Sequence, residues 1–212
     1  PQLGLTIPVG KDSMSMKSSW REGDKEKSVT APLSLIISAF SRTPDARLQI
    51  TPLLTINLNS ELFLIDLGLG KNRMGGSSLA QVFNQIGNET PDLDDPALFA
   101  KFFSVINTLN KEGLVNAFHD RSDGGALVTL LEMAFASRCG LDIRTSKLLY
   151  ELFNEELGCV IQVSNHNREK VLNELEKAGL KEHTKSIAKI NETDEIIIYQ
   201  DDIEVFKDQR VN

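Results

Sequence analysis

The sequence predicts an α+β fold in which helices flank a mixed β-sheet. Short apolar runs bounded by turn residues, such as residues 114–118 and 158–163, have the length of buried strands. Residues 96–110 and 126–137 instead carry apolar residues at helical spacing. The two kinds of element do not alternate strictly along the chain, and this order favours a mixed sheet over a purely parallel, doubly wound one.

Length and composition are typical of a globular protein. The 212 residues are 41% hydrophobic, which is enough for a buried core. The formal charge of −7 and the lack of a long Lys/Arg cluster argue against non-specific nucleic-acid binding. No run approaches the roughly 18 consecutive apolar residues that span a bilayer, and no signal-peptide pattern opens the chain. We therefore expect a cytoplasmic protein with no nucleic-acid or membrane partner.

Taken in order, the chain begins with residues 1–16, where apolar residues come first and polar ones follow. It lacks a starting Met, as a piece of a longer protein would, and the Gly-Lys-Asp-Ser sequence around Lys11 and Asp12 is either a polar turn or a phosphate contact. It does not have the spacing of a P-loop. Residues 18–30 are polar and predict a connecting loop. We therefore place a boundary between a segment 1–30 and a domain 31–212.

The elements that follow have clearer signals. Residues 33–40 predict a buried strand and residues 61–68 another. Ser77 predicts the cap of a short helix, and Pro96 begins a longer helix that Gly113 ends. Beyond residue 126, helices are predicted at 126–137, 148–153 and 165–178, and strands at 141–143, 158–163, 187–190, 195–199 and 203–206.

A glycine-rich loop, residues 68–76, precedes the helix at Ser77. It contains four glycines and the cations Lys71 and Arg73. Glycines permit the close approach of a ligand, and cations favour an anion. The spacing of a dinucleotide-binding motif is missing, so the loop is either an anion contact or simply a turn.

The most informative stretch is His-Asp-Arg-Ser-Asp-Gly-Gly at residues 119–125. It separates an apolar run from a helical pattern and therefore lies on a strand-to-helix turn. There, carboxylates and a hydroxyl come next to free N–H groups at the positive end of a helix dipole, which suits a metal-bound phosphate. The alternative is a capped helix start in which Asp123 or Ser122 accepts hydrogen bonds from the first turn. Residue types alone leave both interpretations open.

Five motifs together resemble a known family. They occur in the same order in the large, single-chain form of phosphoribosylformylglycinamidine synthase, and the resemblance covers nearly the whole chain. The motifs are Ile-Pro-Val-Gly-Lys-Asp-Ser-Met-Ser-Met-Lys at residues 7–17, Gly-Gly-Ser-Ser-Leu-Ala-Gln at 75–81, Pro-Asp-Leu-Asp-Asp-Pro at 91–96, His-Asp-Arg-Ser-Asp-Gly-Gly at 119–125 and Asn-Glu-Glu-Leu-Gly at 154–158.

The resemblance implies a place within that enzyme. Its synthetase region has two homologous halves, each an N-type subdomain followed by a C-type subdomain like that of aminoimidazole ribonucleotide (AIR) synthetase. Residues 1–30 resemble the end of the second half's N-type subdomain and its linker, and residues 31–212 resemble the C-type subdomain. A truncated N-type subdomain should leave apolar surface exposed. Cys139 and Cys159 lie in apolar surroundings and are expected to be buried thiols, not the glutaminase nucleophile.

By the family pattern, Asp120 would ligate Mg²⁺, and Ser122 would contact either the nucleotide, ATP or ADP, or the phosphorylated substrate. Lys11 and Asp12 are weaker candidates for the nucleotide site. The family's other metal ligands lie upstream of residue 1, so the resemblance implies that the isolated chain is inactive and contains no catalytic residue. His119 is either a proton carrier or a structural group.

For the complete enzyme, the resemblance implies an ATP-dependent ligase of purine biosynthesis. It would use glutamine-derived ammonia to convert formylglycinamide ribonucleotide into its amidine. The expected partners are the other synthetase half and the glutaminase domain of the same polypeptide. The alternative is a structural scaffold that binds no ligand, because each polar motif can also be explained as a helix cap or a turn.

Overall fold

The computed structural model describes residues 2–11, 16–31, 35–43 and 45–211. The backbone divides into two units, Pro1–Ala46 and Arg47–Asn212, and each unit is described by itself. The boundary expected after residue 30 concerns the family's subdomains and stays a prediction. Within the described residues, no helix is both long and apolar enough to cross a bilayer.

The first unit contains a β-hairpin. Strands β1 (Lys17–Glu22) and β2 (Lys25–Thr30) pair antiparallel. The turn between them begins at Gly23, whose φ of 63° suits glycine. The prediction of a connecting loop at residues 18–30 is therefore wrong. Every residue of both strands is exposed, so the chain lacks the apolar–polar alternation by which a half-buried strand is recognised.

The prediction of a buried strand at residues 33–40 is also wrong where the chain is described. Residues 35–40 have no regular secondary structure, and Leu35, Ile36 and Phe40 are 84%, 90% and 97% exposed. Residues 32–34 lie outside the described residues. An apolar run forms a buried strand only where neighbouring elements cover it. In the described part of this unit, the hairpin supplies the only strands.

A seven-stranded sheet forms the centre of the second unit. Its spatial order is β4-β6-β3-β7-β5-β8-β9. Neighbouring strands are antiparallel except β5 and β8, which run parallel. The predicted mixed sheet is thus confirmed. The strands are β3 (Ser60–Asp66), β4 (Ala117–Asp120), β5 (Leu141–Thr145), β6 (Gly158–Ser164), β7 (Thr184–Ile190), β8 (Glu195–Gln200) and β9 (Ile203–Gln209).

Two helices of this unit begin where local signals place them. Ser77 Oγ accepts the N–H of Ala80 at the start of the first helix, and the Asp95 carboxylate accepts those of Ala97 and Leu98 at the start of the second. Such caps contribute about 1 kcal/mol each. The helices are α1 (Ser78–Val82), α2 (Pro96–Lys111), α3 (Gly125–Ser137), α4 (Leu148–Leu152) and α5 (Arg168–Lys177).

Helices cover both faces of the sheet. Along β3, Leu62 and Leu64 join an apolar cluster with α3 and α4, whereas Phe63 and Ile65 join a second cluster with α2 and α5. None of these four side chains is more than 3% exposed. Burial of each stabilises the fold by about 1.5–3 kcal/mol. The sheet is therefore the middle of three layers, and the predicted α+β class with flanking helices is confirmed.

Both cysteines are buried free thiols. Cys139 belongs to the cluster beside α3, and Cys159 belongs to the cluster beside α2. Burial raises the pKa of each thiol, because a thiolate loses its hydration there. Each thiol therefore stays protonated at neutral pH, which agrees with the predicted inert role.

We expect the exposed apolar residues of the first unit to make the 212-residue chain self-associate. Replacing Ile36 and Phe40, which are 90% and 97% exposed, with serine should lower the average mass measured by light scattering at the same concentration. A clean monomer of the unaltered chain across the whole concentration range would contradict this expectation.

Candidate functional site

The predicted strand–turn–helix at residues 119–125 is confirmed. Strand β4 ends at Asp120 and helix α3 begins at Gly125. We call residues 120–124 the β4–α3 turn. The Asp120 side chain is 72% exposed, and Ser122 is exposed as well. The predicted metal and nucleotide contacts therefore lie two positions apart on one accessible turn.

Arg121 fastens this turn to the sheet. Its side chain is 1% exposed, and Nη2 donates to Asp66 Oδ1 at 2.6 Å. The same nitrogen donates to the carbonyl oxygen of Leu157 at 2.9 Å, and Nε donates to that of Glu156 at 2.5 Å. A buried guanidinium is stable only with such acceptors. Because Arg121 points inward, its neighbours Asp120 and Ser122 point outward.

The start of α3 is held by Glu155. Its Oε1 atom accepts the backbone N–H of Gly124 at 2.7 Å and that of Ser78 at 2.8 Å. Gly124 is the N-cap of α3 and makes no side-chain cap bond. The prediction that Asp123 or Ser122 caps this helix with its side chain is therefore wrong in the described structure. The acceptor instead comes from a distant part of the chain.

The close approach that Gly124 and Gly125 permit is to groups of the protein itself. A Cβ atom at Gly125, whose φ is 73°, would lie 2.6 Å from the carbonyl oxygens of both Leu152 and Asn154. A Cβ at Gly124 would collide with the side chain of Val128, within α3 itself. Gly125 thus lets α3 pack against the end of α4 and the segment that follows it.

The glycine-rich loop uses its N–H groups internally. The Asp66 carboxylate accepts those of Gly68 and Gly70 at 3.2 and 3.0 Å. Gly75 and Gly76 donate to the carbonyl oxygens of Glu89 and Ile86, between α1 and α2, at 2.6 Å each. An anion-binding loop needs N–H groups that are free to point at the ligand. This arrangement favours the interpretation of the loop as a turn.

The two cations of that loop are matched by carboxylates. Arg73 donates to Glu156 through Nε at 2.7 Å and Nη2 at 2.8 Å, and Nη2 also lies 2.8 Å from Asp94. Lys71 Nζ is 2.6 Å from Asp94 and, with Arg73, lowers the pKa of that carboxyl. The Glu156 side chain is completely buried. A buried charge persists only with such a partner, so this network stabilises the loop.

His119 lies between two carboxylates. Its Nε2 is 2.8 Å from Glu132 Oε2, and its Nδ1 is 3.3 Å from Asp120 Oδ1. The ring is 15% exposed. The contacts connect the end of β4 with α3, which suits a structural group. The role of a proton carrier stays a hypothesis.

The other predicted site residues lie elsewhere. Lys11 is exposed in the first unit, and Asp12 falls outside the described residues. Over the described ranges, no three His, Cys, Asp or Glu side chains come together as a metal site. Asp120 and Ser122 nevertheless supply accessible oxygen donors, the kind that Mg²⁺ prefers. The Asp120 carboxylate suits one position of the octahedral shell of Mg²⁺ and leaves the other positions to further donors.

Two clefts lie in the second unit. The larger, about 1060 Å³, includes Lys71 and Tyr150, and the smaller, about 360 Å³, includes Arg121 and Glu151. Asp120 and Ser122 line neither cleft. The two candidate ligand residues of the turn therefore lie on exposed surface outside both clefts.

Sequence reasoning missed the residues that hold the turn in place. Arg121 and Glu155 were included in motifs but were given no role, and Asp66 was assigned only to a strand. Their partners are far away along the chain, so spacing rules contain no signal for them. The available signal was a pair of adjacent carboxylates, Glu155 and Glu156, directly before a strand of apolar residues.

The fold and the turn place the chain among α+β domains with a central mixed sheet. Residues 65–200 match the family model described as AIR synthase related protein, C-terminal domain. This match covers more than half of the chain, and the chain belongs to that family. Residues 1–42 match the FGAR-AT PurM_N-like domain. An N-type match followed by a C-type match is the order that the resemblance to the synthase implies, and the resemblance is confirmed at this level.

Solved structures share the fold at low sequence identity. PurL of Thermotoga maritima, complexed with ATP or with FGAR, is 12% identical over 87% of this chain, with a TM-score of 0.61 in each case. HypE of E. coli, a hydrogenase maturation protein, is 18% identical over 76%, with a TM-score of 0.52. The matched parts are 28% and 30% of the PurL chains and 52% of HypE. The chain thus spans less than a third of these PurL chains.

We expect Gly125→Ala to destabilise the second unit by about 2–4 kcal/mol, because the new Cβ meets two carbonyl oxygens at a strained φ. Gly113→Ala is the matched control, since Gly113 also has a positive φ, 64°, but its Cβ would meet nothing within 4 Å. The control should cost only about 1 kcal/mol. Urea unfolding measures both variants, and equal losses would contradict the prediction.

Glu151 should make the stability depend on pH in acid. Burial opposes its ionisation, but hydrogen bonds from Lys185 and Thr145 outweigh burial and lower its pKa from 4.5 to about 2. The stabilisation is therefore complete above pH 4.5 and is lost as the pH falls towards 2. Glu151→Gln should flatten the dependence of the melting temperature on pH in that window. The control Glu169→Gln, at a side chain that is 81% exposed, should leave the dependence unchanged.

Proposed function

We propose that this chain is part of a phosphoribosylformylglycinamidine synthase and that its β4–α3 turn forms one side of a Mg²⁺–nucleotide site. The observation that carries the proposal is the accessible carboxylate and hydroxyl of Asp120 and Ser122 on a turn fastened by Arg121. Family membership, the match of residues 1–42 and the likeness to PurL support it.

Each candidate residue has a chemical role in this proposal. Asp120 would hold Mg²⁺ through a carboxylate oxygen, and Ser122 would donate its hydroxyl hydrogen to a phosphate of the nucleotide. When bound, the metal would neutralise negative charge on the transferred phosphoryl group. Lys11 and Asp12 are further candidates for nucleotide contact, and they rest on the resemblance alone. None of these four residues is assigned a covalent step.

The complete enzyme would be an ATP-dependent ligase. The resemblance implies that ATP phosphorylates the amide oxygen of formylglycinamide ribonucleotide and that glutamine-derived ammonia then displaces phosphate. The remaining metal ligands would come from the rest of the polypeptide, and the ammonia would come from its glutaminase domain. We therefore propose that these domains are the partners of this chain in the cytoplasm and that the chain alone does not turn over substrate.

A second candidate function is a scaffold that binds no ligand. It is favoured by the glycine-rich loop, whose N–H groups and cations are already paired within the protein. In this alternative, the β4–α3 turn serves only to connect the sheet with α3.

The variant Asp120→Asn of the complete synthase distinguishes the Mg²⁺–nucleotide site from the scaffold. In the first proposal, it should weaken Mg²⁺-dependent ADP binding by about tenfold or more, because the amide is a poorer ligand for a hard cation. Asp123→Asn is the matched control, since it removes the same charge from an exposed position of the same turn. The control should stay within about twofold of the unaltered enzyme.

Calorimetric titration with ADP at fixed Mg²⁺ measures both variants. Equal affinities for Asp120→Asn and the unaltered enzyme would favour the scaffold. Equal losses in both variants would show a general effect of charge and would also count against a metal ligand at Asp120.

A further inference from the structure

We infer that Glu155 is a positioning residue for the nucleotide site. Its carboxylate fixes the β4–α3 turn relative to the loop before α1, and it thereby fixes the direction in which Asp120 and Ser122 face. The inference rests on the proposed function, because their direction matters only if these residues hold a ligand. Glu155 itself contacts neither the metal nor the nucleotide in this inference.

The β4–α3 turn is held on both sides of Ser122. Before Ser122, the buried guanidinium of Arg121 donates to Asp66 at 2.6 Å. After Ser122, the N–H of Gly124 donates to Glu155 at 2.7 Å. Within the turn, the N–H of Gly125 donates to the carbonyl oxygen of Ser122 at 3.0 Å, which ties Ser122 to the start of α3. The Glu155 contact ties the same end of the turn to the segment before β6, so the hydroxyl stands on a segment held on both sides.

One carboxylate oxygen connects two separate loops. Glu155 Oε1 accepts from Gly124, at the start of α3, and from Ser78, at the start of α1. Helix α1 already has a cap from the hydroxyl of Ser77. The distinctive effect of Glu155 is therefore the connection between the loops. Its negative charge also lies at the positive end of α3, which strengthens the contact.

Glu155 is itself held by buried neighbours. Asn154 and Glu156 are 1% and 0% exposed. The Asn154 amide donates to Asn72 Oδ1 at 3.2 Å, and the Glu156 carboxylate accepts from Arg73. Neither neighbour can shift without breaking buried hydrogen bonds. The backbone at Glu155 is thus rigid, and its side chain can hold the turn to the accuracy that a ligand site requires.

Three variants of Glu155 separate the effect of side-chain length from the effect of negative charge. Glu155→Gln keeps an acceptor oxygen at the same reach, and it should bind Mg²⁺–ADP within about twofold of the unaltered enzyme. Glu155→Asp keeps the charge but shortens the side chain by one methylene, and Glu155→Ala removes the acceptor. These two should weaken binding by about fivefold or more, because small displacements of positioning groups are costly.

The test is calorimetric titration of the complete synthase with ADP at fixed Mg²⁺, alongside the melting temperature of each variant. Glu169→Ala is the control, because that side chain is 81% exposed and pairs with its neighbour Arg168. A merely structural role would lower the melting temperature and leave the Kd of the folded enzyme unchanged. If Glu155→Ala does not fold, Glu155→Asp decides the question.

The outcomes separate this inference from the proposed function. Weak binding by Asp120→Asn together with an unchanged Kd for Glu155→Ala or, where that variant does not fold, for Glu155→Asp would overturn the inference and leave the proposed function intact. Glu155→Gln as weak as Glu155→Ala would also overturn it, because reach would not be the cause. Unchanged binding by Asp120→Asn would remove the proposed function itself.

Discussion

The buried guanidinium of Arg121 is the interaction on which the described site depends. It cannot give up its charge, so burial requires acceptors around it. It finds them in Asp66, at the end of β3, and in the carbonyls of Glu156 and Leu157, just before β6. Strands β4, β6 and β3 are adjacent in the sheet. One side chain therefore joins the ends of three strands. Asp120 and Ser122, on either side of it, are exposed.

The same region shows how a short segment can serve several loops at once. Asn154 contacts the glycine-rich loop through Asn72, and Glu156 contacts it through Arg73. Between them, Glu155 reaches the start of α3. Loss of the Glu155 or Glu156 carboxylate would take an acceptor away from a partly buried donor, at a cost of about 1–3 kcal/mol. The motif at residues 154–158 is therefore explained by contacts within the protein before any ligand is considered.

Sequence reasoning succeeded where structure is determined locally. The caps at Ser77 and Asp95 act on N–H groups two or three residues away, so composition and order were enough to place two helix starts. It failed at residues 35–40, because an apolar run needs neighbouring elements to become a strand, and at the hairpin, whose exposed strands lack an apolar face.

The same distinction applies to the candidate site. The strand–turn–helix was predictable from periodicity. The assignment of Asp120 and Ser122 came from the resemblance, because residue types alone left both capping and ligand binding open and slightly favoured capping. Glu155 as the acceptor at the start of α3 was beyond prediction, since the cap rule looks only at adjacent residues and offered Asp123 or Ser122. Long-range hydrogen bonds have no periodic signature in a sequence.

The single oxygen shared by Gly124 and Ser78 has a consequence for local unfolding. Surface loops usually open independently, and their amides exchange with solvent at separate rates. Here, both loops donate to the same oxygen of Glu155, so a movement of the segment that carries Glu155 releases both loops together. The amides of the two loops should therefore exchange hydrogen as one cooperative unit, tied to the stability of the central sheet through the segment that precedes β6.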